Sequence, residues 1–171
     1  MSTALITGVN GFVGSHLASE LATRGVLVVG TASSEAGLLV ATPGVERKVL
    51  LRLGGQLDPG VVRGVDTVIH CAWDLRPGTG QDNIAFTKRL TEAAEEAGVM
   101  HQVFISSYSA HPSAATDYGK SKLTVQDYML ERGHAAVRPG LVIGSGGMFQ
   151  RLCDTLTTEL VFSWAAGRGR C

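Results

Sequence analysis

The sequence predicts an α/β protein, a doubly wound parallel sheet with helices on both faces. Short apolar runs rich in valine and isoleucine alternate with amphipathic segments, which is typical of parallel strands joined by crossover helices. The 171 residues are 44% hydrophobic and 18% charged, a composition that supports one compact core. A glycine-rich segment directly after the first apolar run is the third indication.

The apolar runs are the predicted strands. Each is too short for a helix, and each lacks the polar alternation of a strand with one face in water. We therefore expect strands that are buried on both faces. In chain order they cover residues 4–7, 26–31, 49–53, 67–71, 102–106 and 135–138.

Helical segments separate these runs. After the first run, Val13, Leu17 and Leu21 recur every four residues, and a glycine follows as a helix stop. Segments 83–97 and 118–132 repeat this arrangement. Because crossovers between parallel strands are right-handed, we expect the strand order 3-2-1-4-5-6.

Charge and composition exclude several classes of function. The formal net charge is zero and the pI is about 7.0, so no broad field favours nucleic acid or an anionic membrane. No stretch reaches the ~18 apolar residues of a membrane span, and the N-terminus lacks the features of a signal peptide. Cys71, Cys153 and Cys171 have no metal-ligand spacing. We expect a cytoplasmic protein without a metal, nucleic-acid or membrane partner.

The glycine-rich segment predicts a phosphate-binding turn. Gly8, Gly11 and Gly14 lie between the first strand and the first helix. Such glycines permit a tight turn, a close approach of backbone to a pyrophosphate, and tight packing of helix on strand. Backbone N–H groups at the helix start then face the phosphates. We expect a Rossmann-type NAD(P)-binding domain over residues 1–147, with these turn contacts: Gly8, Asn10, Gly11, Phe12, Val13 and Gly14.

The end of the second strand leaves the choice of cofactor open. An acid there would bind a ribose 2′-hydroxyl, and an arginine would accept a 2′-phosphate. The sequence has Ala32-Ser33-Ser34, which matches neither pattern. The segment is either a plain loop or a hydroxyl pair that tolerates a phosphate. The predicted cofactor is therefore NAD or NADP, with Ser33 as a contact.

A candidate catalytic group follows the fifth strand. The strand ends in Ser106-Ser107, and Tyr118 and Lys122 come shortly afterwards. Residues four apart share one helix face, here towards the carboxyl end of the sheet, where substrates bind. Such a pair alone is more often surface packing, but a neighbouring ammonium also favours the phenolate of a tyrosine. We interpret His70, in the fourth strand, as structural.

The motif Thr7-Gly8-x-x-Gly11-Phe12-x-Gly14 resembles the signature of the extended short-chain dehydrogenase/reductases, the NAD-dependent epimerase/dehydratase family. The resemblance implies that Tyr118 exchanges the proton of the substrate and that Lys122 also binds the nicotinamide ribose. Ser107 would hydrogen-bond the reacting oxygen, with Ser109 as the weaker alternative. Further cofactor contacts implied by the family pattern are Ala72, Tyr118, Pro139 and Val142.

The sequence departs from the family pattern in three places. Arg52-Leu53 stands where the family carries Asp-Leu near the adenine, and His111-Pro112 replaces a frequent Tyr-Gly. Relatives usually continue further, so most of their C-terminal substrate lobe is expected to be lacking. Residues 148–171 would form a C-terminal helix and a tail of uncertain role.

Two functions remain open at this point. One is an NAD(P)-dependent oxidoreductase or epimerase/dehydratase-like enzyme for a small hydroxy or carbonyl compound or a nucleotide sugar. The other is a non-catalytic NAD(P)-binding or redox-sensing module. The family also implies a homodimer through helices 83–97 and 118–132. The tail is either disordered or covers the sixth strand or a second subunit through five apolar residues: Leu156, Leu160, Val161, Phe162 and Trp164.

Overall fold

The computed structural model describes residues 1–144, 147, 150 and 153–155. The chain divides into two compact units, Met1–Pro139 and Gly140–Cys171, and the first holds the whole described sheet. The predicted domain boundary after residue 147 stays a prediction. The predicted C-terminal helix and tail fall largely outside the described residues. The apolar residues predicted to cover the sheet edge lie entirely outside them: Leu156, Leu160, Val161, Phe162 and Trp164.

The sheet has six parallel strands in the order β3-β2-β1-β4-β5-β6, which confirms the predicted doubly wound arrangement. This order reverses between β1 and β4, and a crevice therefore opens at the carboxyl ends of the central strands. The strands are β1 Thr3–Ile6, β2 Leu27–Ala32, β3 Arg47–Leu50, β4 Thr67–His70, β5 His101–Ile105 and β6 Ala135–Val137.

Four helices connect these strands: α1 Phe12–Thr23, α2 Glu35–Leu39, α3 Gly80–Glu96 and α4 Asp117–Glu131. The short α2 and a 3₁₀ turn, Pro59–Val62, were not predicted, because neither is long enough to show a helical period. Among the described helices, none has the length and apolar character that a bilayer span requires.

The third strand begins and ends earlier than predicted. Arg47 and Lys48 pair with β2 although both are charged, because β3 lies at the edge of the sheet and is not buried on both faces. After Leu50 the chain makes one more bond to β2, from the Leu51 N–H to the Ala32 carbonyl (2.9 Å). It then turns away through Gly54. The apolar run 49–53 therefore extends past the strand.

Two apolar layers cover the sheet. Neighbouring strand residues point to opposite faces, so Leu5 packs on the side of α3 and Ile6 on the side of α1. The first layer joins β1, β2 and β4 to Phe86 and Leu90 of α3. The second joins the same strands to Ala18 of α1. Helices on both faces fix the strand ends that surround the crevice.

His70 is part of the core. It is 2% exposed, and its Nε2 hydrogen-bonds the Gln102 side-chain oxygen (2.9 Å). The Gln102 amide in turn donates to the Thr91 carbonyl (3.1 Å), which joins β5 to α3. Burial lowers the pKa of His70 to about 4, so the ring is neutral near pH 7. These contacts give His70 the structural role that we expected.

Candidate active site

The glycine turn between β1 and α1 is shaped by backbone packing. Gly8 has φ of +65°, and an added Cβ would lie 2.9 Å from the Cα of Ala72. A Cβ on Gly14 would lie 2.6 Å from the Gly8 carbonyl oxygen. Gly11 precedes α1 and has no side chain to cap the first amides of the helix. No side chain therefore caps the start of α1, as the predicted pyrophosphate site requires, and binding of a pyrophosphate there stays a prediction.

Two threonine hydroxyls hold this turn against the neighbouring strand ends. The Thr7 hydroxyl accepts hydrogen bonds from the backbone N–H groups of Cys71 and Ala72, both at 3.0 Å. The Thr31 hydroxyl accepts one from the Gly8 N–H at 3.1 Å. Sequence reasoning missed Thr31, whose position in β2 beside the turn becomes evident only once the strand order is known.

Asn10 connects the turn to the segment between β2 and β3. Its side-chain oxygen accepts from Lys48 Nζ (2.5 Å) and the Thr42 hydroxyl (2.9 Å), and its amide donates to the Gly37 carbonyl (2.7 Å). Asn10 therefore positions the turn through protein contacts. Its predicted contact with the cofactor stays a prediction.

A cleft of about 1060 Å³ lies at the carboxyl ends of the central strands. Its volume is at the upper end of the range for small-molecule and cofactor sites. Phe12 and Val13 are half-buried in the first turn of α1, and Gly14 is buried beneath it. Five of the predicted cofactor contacts line the cleft: Gly8, Asn10, Gly11, Ser33 and Ala72.

The loop after β4 forms one wall of the cleft and is held in place by polar contacts. Asp74 donates its backbone N–H to the Asn83 side chain (2.9 Å), and the Asn83 amide donates back to the Asp74 carbonyl (2.9 Å). The Asp74 carboxylate pairs with Arg76 (2.5 Å). Hydrogen bonds from Arg76 lower the pKa of Asp74. The wall is therefore preorganised.

Lys122 is buried at the carboxyl end of β5. Its Nζ donates to the carbonyl of Ile105, the last residue of that strand, at 2.7 Å. It lies 4.0 Å from the ring centroid of Trp73 and 4.6 Å from that of Phe104. Lys122 is only 4% exposed, and burial lowers its pKa to about 7. An ammonium in this position is stabilised mainly by aromatic faces and one carbonyl.

Tyr118 lies beside this ammonium. Its ring centroid is 5.9 Å from Lys122 Nζ, and its ring meets that of Trp73 edge-on at 6.3 Å. Tyr118 is half-buried, near the start of α4, where the Thr116 hydroxyl accepts from the Gly119 N–H (3.1 Å). The structure thus brings Tyr118 and Lys122 together around Trp73.

The two serines at the end of β5 have different environments. Ser106 is 3% exposed and donates to the Gln126 side chain (3.1 Å). Ser107 is half-buried, and its hydroxyl accepts from the Ser109 N–H (3.1 Å), which leaves its own proton free to donate. Ser109 is exposed. This arrangement favours Ser107 as the residue that faces a substrate, a role that stays a prediction.

The remaining predicted contacts follow β6. The Pro139 carbonyl accepts from the Tyr108 N–H (3.2 Å), so this residue lies beside the loop that carries Ser107. Val142 belongs to the second unit, Gly140–Cys171. The contacts of Pro139 and Val142 with a cofactor stay predictions.

Sequence reasoning missed Trp73 and left Arg52 without a role. Trp73 directly follows Ala72 at the end of β4, and that position was a usable signal. Arg52 Nε donates to the Ser33 carbonyl (3.2 Å), so Arg52 lies at the end of β2.

Burial raises the pKa of the Cys71 thiol to about 12, which keeps it protonated. Within the described part of the chain, no group of His, Cys, Asp or Glu could hold a metal ion.

Known enzymes resemble this chain over much of its length. The dTDP-4-dehydro-6-deoxy-D-allose reductase of Streptomyces bikiniensis is 29% identical, and the match covers 84% of this chain and 57% of the reductase. Cinnamoyl-CoA reductase 1 of Oryza sativa subsp. japonica is 28% identical over 72% of this chain and 40% of its own length. The chain thus spans about half the length of these relatives, 57% of the allose reductase and 40% of the cinnamoyl-CoA reductase.

Solved structures show the same fold. MoeE5 in complex with UDP-glucose and NAD superposes with a TM-score of 0.70 at 27% identity, covering 85% of this chain and 56% of MoeE5. WbmH of Bordetella bronchiseptica in complex with NAD+ gives a TM-score of 0.69 at 23% identity, covering 91% of this chain and 64% of WbmH. These matches confirm the predicted Rossmann-type fold.

The family model for the NAD dependent epimerase/dehydratase family matches residues 4–146. That span begins in β1 and includes the glycine turn, Tyr118 and Lys122. The match confirms the predicted resemblance, and the family's dependence on NAD confirms the predicted class of cofactor, NAD or NADP. The chain belongs to the NAD dependent epimerase/dehydratase family.

Proposed function

We propose that this chain binds a nicotinamide dinucleotide in the cleft and supports an NAD(P)-dependent oxidoreductase or epimerase/dehydratase reaction. The proposed substrate is a nucleotide sugar or another small hydroxy or carbonyl compound. The allose reductases are named for a dTDP-linked sugar, and MoeE5 was solved with UDP-glucose, which supports this substrate class.

The observation that carries the proposal is the buried amino group of Lys122 next to Tyr118. A buried lysine is costly unless it is paired, and its only hydrogen-bond partner among the described residues is the Ile105 carbonyl. When the amino group is protonated, two of its three N–H donors are left for a ligand. Lys122 does not itself line the cleft, but the Trp73 ring that it contacts does. A buried titratable group with unused donors beside a cleft wall is more typical of a functional site than of a stabilising contact.

Each proposed catalytic residue has a separate role. Tyr118 exchanges a proton with the substrate oxygen, and Lys122 in its protonated form favours the phenolate during that exchange. Lys122 also donates to the hydroxyls of the nicotinamide ribose, and Ser107 donates to the reacting oxygen. When bound, the cofactor supplies or accepts the hydride.

The homodimer implied by the family is also a proposal. Helices α3 and α4, through which it would form, pack side by side, with the Tyr128 hydroxyl donating to Glu92 (3.0 Å). A closed two-fold dimer would bury the same face of both copies. Light scattering on the purified protein measures the oligomeric state directly.

The substitution Tyr118→Phe tests the catalytic proposal. It removes only the hydroxyl, so we expect kcat to fall by on the order of 10²-fold or more while cofactor affinity stays unchanged. The assay follows NAD(P)H absorbance with UDP-glucose and dTDP-4-keto-6-deoxy sugars. Tyr128→Phe is the matched control, because it removes a tyrosine hydroxyl of the same helix that donates to Glu92, whereas the Tyr118 ring lies beside Lys122.

Two results would contradict the proposal in different ways. Normal turnover by the Tyr118→Phe protein would mean that the proton follows another route. Cofactor binding without turnover of any tested sugar would favour the alternative, a non-catalytic NAD(P)-binding or redox-sensing module.

A further inference from the structure

The ends of β2 and β3 meet at one end of the cleft. Ala32 pairs with Leu50, and the residues that follow are Ser33 on one strand and Leu51 and Arg52 on the other. Arg52 Nε donates to the Ser33 carbonyl at 3.2 Å. This bond holds the guanidinium beside the residue that follows β2, and both residues line the cleft.

The guanidinium of Arg52 has unused donors. Arg52 is exposed, and in the described part of the chain the Ser33 carbonyl is the only hydrogen-bond partner of its guanidinium. It forms no ion pair with any described carboxylate. Four of its five N–H groups can therefore bind a ligand, in a planar arrangement that suits two oxygens of one phosphate.

Two serine hydroxyls lie at the same strand end. The Ser34 hydroxyl accepts from the Gly37 N–H (3.1 Å), so its proton remains available to donate. The exposed Ser33 hydroxyl makes no hydrogen bond to any residue that the structure describes. Lys48 Nζ, bound to Asn10 and Thr42, adds a second positive charge nearby.

Carboxylates do not offset this charge. Glu35, in the first turn of α2, is exposed and is not part of the cleft lining. Asp74 lines the cleft from the β4 side, where Arg76 neutralises it. Among the described residues, this strand end has no acid that could accept a hydrogen bond from a ribose 2′-hydroxyl.

We propose that Arg52, together with the hydroxyls of Ser33 and Ser34, binds the 2′-phosphate of NADP(H) and makes it the preferred cofactor. The inference rests on the proposed function, because it requires the adenosine half of a dinucleotide to lie at the β2 end of the cleft. A guanidinium suits this task because it binds a phosphate through two parallel hydrogen bonds.

Calorimetric titration of the intact protein tests the inference without any turnover. The ligands are NADP+, NAD+, and the fragments adenosine 2′,5′-bisphosphate and adenosine 5′-monophosphate. We expect each ligand that carries the 2′-phosphate to bind at least about tenfold more tightly than its counterpart, as for one charge-assisted contact.

Arg52→Ala isolates the contribution of the guanidinium. We expect the affinity for NADP+ and for the bisphosphate to fall by about 10- to 100-fold, and the affinity for NAD+ to change by less than about threefold. Arg52→Lys retains the charge without the two parallel bonds and should give an intermediate loss. Arg63→Ala, an exposed arginine outside the cleft lining, is the control and should bind like the wild type.

The possible failures are distinguishable. Equal or tighter binding of NAD+ by the wild type would overturn the preference for NADP(H) and leave the proposed function standing. An equal loss of affinity for NADP+ and NAD+ in the Arg52→Ala protein would also overturn the preference for NADP(H). If the wild type bound none of the ligands, the proposed function itself would fail, and the inference with it.

Discussion

The glycine turn and the Lys122 cluster lie at the same edge of the sheet but are built differently. The Lys122 cluster comprises Trp73, Phe104, Tyr118 and Lys122. In the turn, the shape depends on glycine, because a Cβ atom added to Gly8 or Gly14 would lie less than 3.0 Å from a backbone atom. In the cluster, the shape depends on large side chains that surround one ammonium.

This difference determines how each region responds to substitution. Backbone packing in the turn leaves little room to adjust, so even one added methyl group has a large effect. In the cluster, several aromatic faces each stabilise the positive charge of Lys122. The loss of one face should therefore have a smaller effect than an added Cβ in the turn. The cluster also has a stability cost, because its lysine is buried without a carboxylate partner among the described residues.

The largest effect is expected from Gly11→Val. Gly11 has φ of −75°, which valine can adopt, and the new Cβ would lie 3.2 Å from the Gly8 carbonyl oxygen. The fold should survive, but the branched side chain would occupy the space that a pyrophosphate requires. We expect cofactor affinity to fall by about 100-fold or more, equivalent to roughly 3 kcal/mol, in calorimetric titrations.

Gly14→Ala is the matched control for this prediction. Its Cβ would lie 2.6 Å from the Gly8 carbonyl oxygen, beneath the turn, so this substitution should instead lower the free energy of unfolding by about 1–3 kcal/mol. Unchanged cofactor affinity in Gly11→Val would mean that the turn does not bind the phosphates.

Lys122→Met should change how stability depends on pH. Folding lowers the pKa of Lys122 from 10.5 to about 7. Between pH 7 and 9 the unfolded chain therefore binds a proton that the folded chain does not, and stability rises with pH by at most about 1.4 kcal/mol per pH unit. Above pH 9 the buried Cys71 thiol has the opposite effect, because its pKa is raised from 9.0 to about 12.

Urea denaturation at pH 7, 8 and 9 measures this slope. The Lys122→Met protein should lose most of it and should also bind the cofactor less tightly. Lys120→Met, which replaces an exposed lysine two residues away, should keep the wild-type slope. Equal slopes in the wild type and Lys122→Met would show that Lys122 is not buried in solution.

A smaller effect is expected from Trp73→Leu. The indole ring lies 4.0 Å from Lys122 Nζ, and a cation–π contact of this kind contributes roughly 1 kcal/mol. Without it we expect cofactor affinity to fall by about fivefold. Trp73→Phe retains an aromatic face and should lose less. If the leucine and phenylalanine variants both bind like the wild type, Trp73 does not position Lys122.

The sequence was sufficient to predict the features that depend on local pattern. The glycine turn, Tyr118 and Lys122 could be located because their spacing relates directly to a strand end or a helix face. The strand order followed from the handedness of crossovers, and the structure confirms it.

Contacts between distant parts of the chain could not be predicted in this way. Trp73 reaches Lys122 of α4 from the loop after β4, and Lys48 reaches Asn10 across 38 positions. The bounds of β3 were wrong because an edge strand accepts charged residues such as Arg47, which apolar periodicity does not detect. The roles of Ser107, Tyr118 and Lys122 stay predictions because they depend on where a ligand binds.

A crystal structure of the protein with bound NADP+ tests the central claim most directly, namely that one cofactor contacts both the glycine turn and the Lys122 cluster. We expect the pyrophosphate beside the first amides of α1 and the nicotinamide ribose within about 3.2 Å of Lys122 Nζ, the distance of an ordinary hydrogen bond. A pyrophosphate away from Gly11, or a nicotinamide ribose out of reach of Lys122, would contradict the account.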